Sequence, residues 1–369
     1  MKRRCWVLLL LFCVACITGC WDRVEIEKRS FAVAAAFDKA DDKTGKSRYA
    51  VTISMPSFSK SEKDSPDGVD ILQAEGETVT EALRKIDKKT GKRIYLGQVK
   101  TLLFSEELTQ EADLFSAAIQ TLHQHNDIDQ RALVLAVEGS ASDILDAKPS
   151  DGTNAGVFFS EIYKYKDKSM GVTFKKDFSG LCADLRMGRR TVIPLTKLDD
   201  EDISITGAIA VKDFSKTGEL NVYEIRGFLW CFADACRGAV VSTEVDGIFI
   251  PLVIKSHGVT LSFSESDDRL QCRVDVDVSG YVNEHAFTDN LITDEDMQKS
   301  LSRFYEQIII NEMNITAGKM QVELGMDGYN WCEELRKKAY PLYKKYANDW
   351  ERVFIEMEIM PSVKVEIQT

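Results

Sequence analysis

The sequence predicts an α+β protein of two or three domains, each a mixed or antiparallel β-sheet packed with helices, with long helices near the C-terminus. Three observations carry that expectation. Short apolar runs recur through the first two hundred residues, interleaved with segments of helical period. A stretch with few breakers and a helical apolar stripe follows Thr293. The composition, 44% hydrophobic and 9% aromatic with only 7 Pro and 22 Gly in 369 residues, supplies apolar material for several cores and excludes disorder as the main state.

In chain order, residues 31–37 (FAVAAAF) read as a buried strand, 41–46 as a turn and 48–55 as an alternating strand, which together make a hairpin. Residues 56–70, rich in Ser, Lys, Asp and Pro, read as a solvated loop. Val79, Ala82, Leu83 and Ile86 stand at helical spacing, with Thr78 or Thr80 as cap and Gly91 as terminator. Residues 94–105 read as one strand with an internal glycine, 106–124 as one helix with acids at its positive end, 131–138 as a strand and 140–145 as a short helix. Phe158, Phe159 and Tyr163 form a helical aromatic patch, and 178–187 a further short helix. The acidic run Asp199, Asp200, Glu201, Asp202 marks the expected boundary between a domain 20–198 and a region 203–369. The latter can also be divided into a small β-rich part, 203–256, and a sheet with long helices, 257–369.

Beyond that boundary, residues 203–212, 220–225 and 239–243 read as short strands. Residues 259–264 and 270–283 read as a hairpin with Cys272, Val274, Val276 and Val278 on one face and Arg273, Asp275 and Asp277 on the other. Thr293 caps a helix that opens on Asp294, Glu295 and Asp296, carries the stripe Met297, Leu301, Phe304, Ile308 and Ile315, and runs to about Leu324. Residues 327–347 hold a second helix with a start, stop or kink at Pro341. Odd-numbered apolar residues from Val353 to Ile367, separated by Pro361, read as two alternating strands.

The first 23 residues set the location. Lys2, Arg3 and Arg4 precede an uncharged apolar run, residues 5–17, and then Thr18, Gly19 and Cys20, the three-part build of a secretory signal peptide. Thirteen apolar residues at ~1.5 Å each are too short for a hydrocarbon core of ~30 Å. Ile17-Thr18-Gly19-Cys20 resembles the lipobox of bacterial lipoproteins, in which the Cys thiol takes a diacylglyceryl group and becomes the first residue after cleavage. Two or three acyl chains at ~0.8 kcal/mol per buried CH₂ make a stable anchor, where one chain does not. Removing residues 1–19 leaves 350 residues, and losing three cations takes the formal charge from −12 to −15. That surplus repels nucleic acid and anionic headgroups, so lipid rather than charge holds the chain to the bilayer.

Motifs for chemistry are sparse. Cys182, Cys231, Cys236, Cys272 and Cys332 remain once the leader and Cys20 are set aside, and they read as buried thiols, with one disulfide as the alternative. Cys231 and Cys236 lack CxxC spacing and a nearby His, so no zinc site is expected. Asp275-x-Asp277-x-Ser279-Gly280 opens like an EF-hand loop, yet Ala286 stands where a bidentate Glu is needed, and the acids alternate with valines as solvent-face residues do. His123, His125, His257 and His285 give no HExxH, and neither a GxSxG elbow nor a phosphate-binding glycine loop is present. His123 and His125 fall at a helix end, where a cation is favoured without a ligand. Trp230 and Trp331 suit a core or the lining of a ligand site. A binding or assembly role without catalysis, metal or cofactor is the expectation. A lipid-anchored solute-binding protein is the alternative, which would require two similar lobes about a hinge.

Cys20 followed by Trp21-Asp22-Arg23-x-Glu25-Ile26-Glu27 resembles the opening of the Ger(x)C family, the lipoprotein C subunits of spore germinant receptors. The blocks Glu81-Ala82-Leu83 to Thr90-Gly91-Lys92, Leu102-Leu103-Phe104-Ser105-Glu106, Gly207-Ala208-Ile209-Ala210-Val211-Lys212, Gly227-Phe228-Leu229-Trp230 and Tyr340-Pro341 to Trp350 extend the likeness along the chain. The resemblance implies a subunit on the outer face of the spore inner membrane, working with membrane-embedded A- and B-type subunits to sense nutrients. It carries over Cys20 as the lipidation site and no catalytic residue. Trp21, Asp22, Arg23 and Glu25 carry over as motif positions without an assigned role. Whether this subunit touches the nutrient is left open.

Overall fold

A computed structural model describes residues 29–41, 45–56, 69–125, 127–147, 149, 153–164, 171–200, 202–245, 248–282 and 295–368. The first half runs β1 (Arg29–Phe31), β2 (Ala34–Lys39), β3 (Tyr49–Pro56), β4 (Val69–Gly76), α1 (Val79–Thr90), β5 (Arg93–Tyr95), β6 (Thr101–Ser105), α2 (Glu106–Gln110), α3 (Ala112–Gln124), β7 (Leu133–Glu138), α4 (Ala141–Asp146), α5 (Ala155–Lys164), α6 (Phe178–Met187) and β8 (Arg190–Asp199). The second runs β9 (Asp202–Lys212), β10 (Ser215–Asn221), α7 (Val222–Leu229), β11 (Val240–Val245), β12 (Ile248–Ser266), β13 (Arg269–Val282), α8 (Glu295–Gly318), α9 (Trp331–Lys338), α10 (Tyr340–Tyr346), α11 (Trp350–Glu356) and β14 (Glu358–Gln368).

Eight strands in the order β10-β9-β8-β7-β6-β2-β3-β4 form one mixed sheet, parallel from β2 through β6 and β7 to β8 and antiparallel towards both edges. The apolar run of β2 is explained by burial on both faces. Ala34 and Ala36 pack with Leu103, Leu135 and the helices α4 and α5, whereas Ala35 and Phe37 pack with Leu102, Phe104, Val134 and the layer of α1, α3 and α6. A four-stranded sheet, β11-β12-β13-β14, forms the second half, and β1 pairs with β5 in a small parallel ribbon. The α+β class is as expected.

At the C-terminal end of β2, buried Asp38 accepts hydrogen bonds from the backbone N–H groups of Ala141 at 2.7 Å and Ser142 at 3.0 Å, the start of α4. Burial raises its pKa above the ordinary carboxylate value, and these donors work in the opposite direction. Asp38→Ala leaves both donors without a partner and is expected to cost about 1–3 kcal/mol, read as a lower midpoint in urea unfolding.

Asp199 and Asp202 of the acidic run pair with each other where β8 and β9 meet, and these strands run antiparallel. The expected boundary thus falls inside a hairpin of one sheet. Alternation along these two strands divides them between cores: Ile193, Ile209 and Val211 face the first, and Val192, Ala208 and Ala210 face the second.

Several elements differ from the sequence reading. The expected loop, 56–70, ends in an edge strand, Val69–Gly76, in which Leu72 and Ala74 pack against one core and Ile71 against the other. The single strand over 94–105 is two, β5 and β6, joined by a turn in which a Cβ on Gly97 would come 2.5 Å from the Tyr95 ring. The helix 106–124 breaks at Glu111, whose backbone is extended. Residues 222–229 are helical instead of a strand, started by a capping box between Asn221 and Glu224. The stripe of α8 is rotated from the expected one: Leu301, Tyr305, Ile309 and Met313 are buried, while Phe304 and Ile315 are 50% and 56% exposed. Helix α8 continues through a π-turn, Lys319–Glu323, to Leu324. Residues 350–356 are helix, and β14 runs unbroken through Pro361, which an outer strand tolerates. The Thr293 cap and Ala286 lie outside the described residues.

Candidate functional site

A cleft of about 570 Å³ lies between the two halves of the chain. Phe174, Lys175, Lys176, Asp184 and Val192 come from the segment up to β8, and the other wall is made by the end of α7, by β12 and by α9 with the turn before it. Its aromatic wall is a column of rings. Phe228 stacks on Tyr329 with centroids 5.1 Å apart, and Tyr329 stacks on Trp331 at 4.3 Å and 14°. Phe174 and Phe232 tilt against Phe228 at 5.7 and 4.9 Å.

The turn that places Tyr329 is built for close approach. Asn330 adopts the left-handed conformation, φ 60°, where Asn is tolerated. A Cβ on Gly328 would come 3.0 Å from Val192 of β8 and 2.9 Å from Met320, so a glycine lets the turn lie against the large sheet. Asp327, fully buried, fixes the turn by accepting from Cys332 N–H at 3.0 Å and from Trp350 Nε1 at 2.9 Å. Burial raises its pKa, with the charge of Arg190 opposing. The Tyr329 hydroxyl is buried with no hydrogen-bond partner, and burial pushes its pKa well up.

Charge is uneven around the mouth. Lys176 is held by Asp184 at 2.7 Å, with Thr191 donating to the same carboxylate at 2.8 Å, and Glu334 pairs with Lys337 at 3.0 Å. Lys175 and Lys338 are exposed and have no ion-pair partner among the described residues. No nucleophile meets a base here: the Cys231 thiol is buried and its pKa is raised by desolvation.

Behind the cleft, α7 is locked to α8. A Cβ on Gly227 would lie 2.2 Å from Thr316 Oγ1 and 2.3 Å from the Glu312 carbonyl, so the helices touch backbone to backbone. Across that contact Arg226 Nε donates to both Glu312 oxygens at 3.1 and 3.0 Å, Trp230 Nε1 donates to Glu312 at 2.9 Å, and Lys319 pairs with Glu224 at 2.8 Å. Burial opposes the Arg226 charge, but the hydrogen bonds and charge of Glu312 outweigh it and raise its pKa.

Cys20, Trp21, Asp22, Arg23 and Glu25 lie outside the described residues, as does His285. Trp331 lines the cleft, while Trp230 is a buried donor to Glu312. Asp275 and Asp277 are on β13, where Arg273 pairs with Asp275 at 2.9 Å. His125 ends α3, with a pKa lowered by burial. Cys182, Cys231, Cys236, Cys272 and Cys332 are free, and burial pushes the thiols of Cys182, Cys272 and Cys332 up to about 11, 12 and 11. Among the described residues, no three His, Cys, Asp or Glu side chains gather as a metal site would need. The sequence reading missed Phe228, Tyr329 and the two rim lysines; the local signal was Gly328-Tyr329-Asn330-Trp331, two aromatics set around turn formers.

Comparison with known proteins covers the whole body. Residues 22–198 match the family model described as the spore germination protein N-terminal domain, and residues 206–369 match the spore germination B3/GerAC-like C-terminal model. The chain is similar to three proteins of Bacillus subtilis (strain 168). It is 19% identical to spore germination protein B3 over 100% of this chain and 98% of that protein. It is 22% identical to spore germination protein KC over 100% and 95%, and 21% identical to spore germination protein A3 over 75% and 74%. The crystal structure of the GerBC protein superposes with a TM-score of 0.62 at 16% identity, covering 94% of this chain and all of that one, a likeness of fold.

Proposed function

The chain belongs to the Ger(x)C family of spore germination proteins, and we propose that it is the lipid-anchored C subunit of a nutrient germinant receptor. In this reading Cys20 carries the lipid, the protein lies on the outer face of the spore inner membrane, and it assembles there with membrane-embedded A- and B-type subunits without catalysing a reaction. The observation that carries the reading is the start of the family match at residue 22, two residues after the lipobox cysteine. Among the described residues no helix is long and apolar enough to cross a membrane. From Cys20 to Arg29 the chain runs nine peptide units, at most about 30 Å, which bounds the distance from the lipid to the first described residue. We take 20–198 and 203–369 as its two sequence units. The continuous sheet from β4 to β10 leaves no hinge between them, which counts against the two-lobed solute-binding protein.

Purification of the tagged protein from spores is expected to recover polytopic membrane proteins, and Cys20→Ala is expected to lose both them and the membrane fraction. Undiminished co-purification by the Cys20→Ala protein would sink the reading.

A further inference from the structure

We propose that the cleft between the two halves binds a small, flat, apolar molecule carrying an anionic group such as a carboxylate. The volume, about 570 Å³, lies within the range of small-ligand pockets, and such pockets combine apolar walls with a few polar groups that fix orientation. Here the walls are the Phe228–Tyr329–Trp331 column and the aliphatic side chains of Val192, Val259 and Leu261. Rings favour flat partners, through offset or edge contacts with their own faces.

The charges at the mouth select the ligand's polar end. The chain carries a formal charge of −12, yet the charges left without an ion pair at this mouth are the cations Lys175 and Lys338. The lysine and acid nearest them are already committed, Lys176 to Asp184 and Glu334 to Lys337. A neutral hydrocarbon leaves those cations unpaired, and an ammonium group is repelled by them. Because Lys175 belongs to one half and Lys338 to the other, the occupant would touch both sequence units at once.

The inference does not depend on the membrane anchor or on partner subunits. Isothermal titration of the detergent-solubilised full-length protein with benzoate, 3-phenylpropionate and indole-3-propionate tests it, each set against its neutral amide and a detergent blank. Saturable binding is expected for at least one acid, about tenfold tighter than for its amide. The double variant Lys175→Glu/Lys338→Glu, altered at exposed positions, is expected to weaken the acid about tenfold and leave the amide unchanged. Absence of saturable binding by all three acids, equal affinity for acid and amide, or indifference to the double variant would each overturn the proposal.

Discussion

Glu312→Ala is expected to destabilise the protein by about 3–5 kcal/mol, the range for removing one partner of a buried ion pair. The Arg226 and Glu312 side chains are only 19% and 13% exposed, so the stranded guanidinium has little water to turn to. The same substitution also orphans the indole N–H of Trp230, which is fully buried. Glu312→Gln keeps the shape and an acceptor for Trp230 but loses the charge, and should fall between the parent and the alanine variant. Arg226→Met together with Glu312→Leu removes both charges and should cost less than Glu312→Ala alone, since no buried ion is left without its counterpart. Chemical unfolding of the four proteins reads the series. A loss below about 1 kcal/mol for Glu312→Ala would mean that the pair behaves as an exposed one.

The second large effect is expected at Gly207. Its φ of +153° lies where side-chain-bearing residues are rarely found, and a Cβ there would sit 2.0 Å from the Leu220 carbonyl oxygen. Neither contact can relax cheaply, because Gly207 lies inside β9, paired with Leu195 of β8 on one side and Asn221 of β10 on the other, beside a register shift between Leu195 and Thr196. Gly207→Ala must push β10 off the sheet, and with it Asn221, the cap of α7. A cost above about 4 kcal/mol is expected, seen as loss of soluble, cooperatively unfolding protein. Gly318→Ala is the control. That glycine has ordinary helical angles and open space where a methyl group would point, so alanine there should be neutral or stabilising by up to about 1 kcal/mol. Equal behaviour of the two variants would refute the steric account.

What the sequence disclosed follows from how local each signal is. Thr78, the apolar set from Val79 to Ile86, and Gly91 with φ 65° specify α1 within fourteen residues. The strict alternation of β13 likewise shows in its burial. Helix α11 was hidden by coincidence: Val353, Ile355 and Met357 share parity with the following strand, yet the buried residues Trp350, Val353, Phe354 and Met357 keep the helical spacing of three and four. In α7, eight residues are too few to display a period, and the Asn221–Glu224 cap was the readable sign. The proposed lipid site rests on the sequence, as Cys20 lies before the first described residue. The cleft could not be read from it, because Val192 and Gly328 approach across 136 positions and no local pattern announces a long-range contact.

Among the described strands, the one that completes the second sheet is made last. β14 pairs in parallel with β13 from Gln271–Glu358 to Tyr281–Gln368, and among the described residues α8, α9, α10 and α11 lie between them in the chain. Until it arrives, β13 presents an open row of backbone N–H and C=O groups beside Cys272, Val274, Val276 and Val278, an edge of the kind that recruits other chains. At ~5–20 residues per second, synthesis of residues 283–368 occupies roughly 4–17 s, an interval in which β13 has no β14 to pair with.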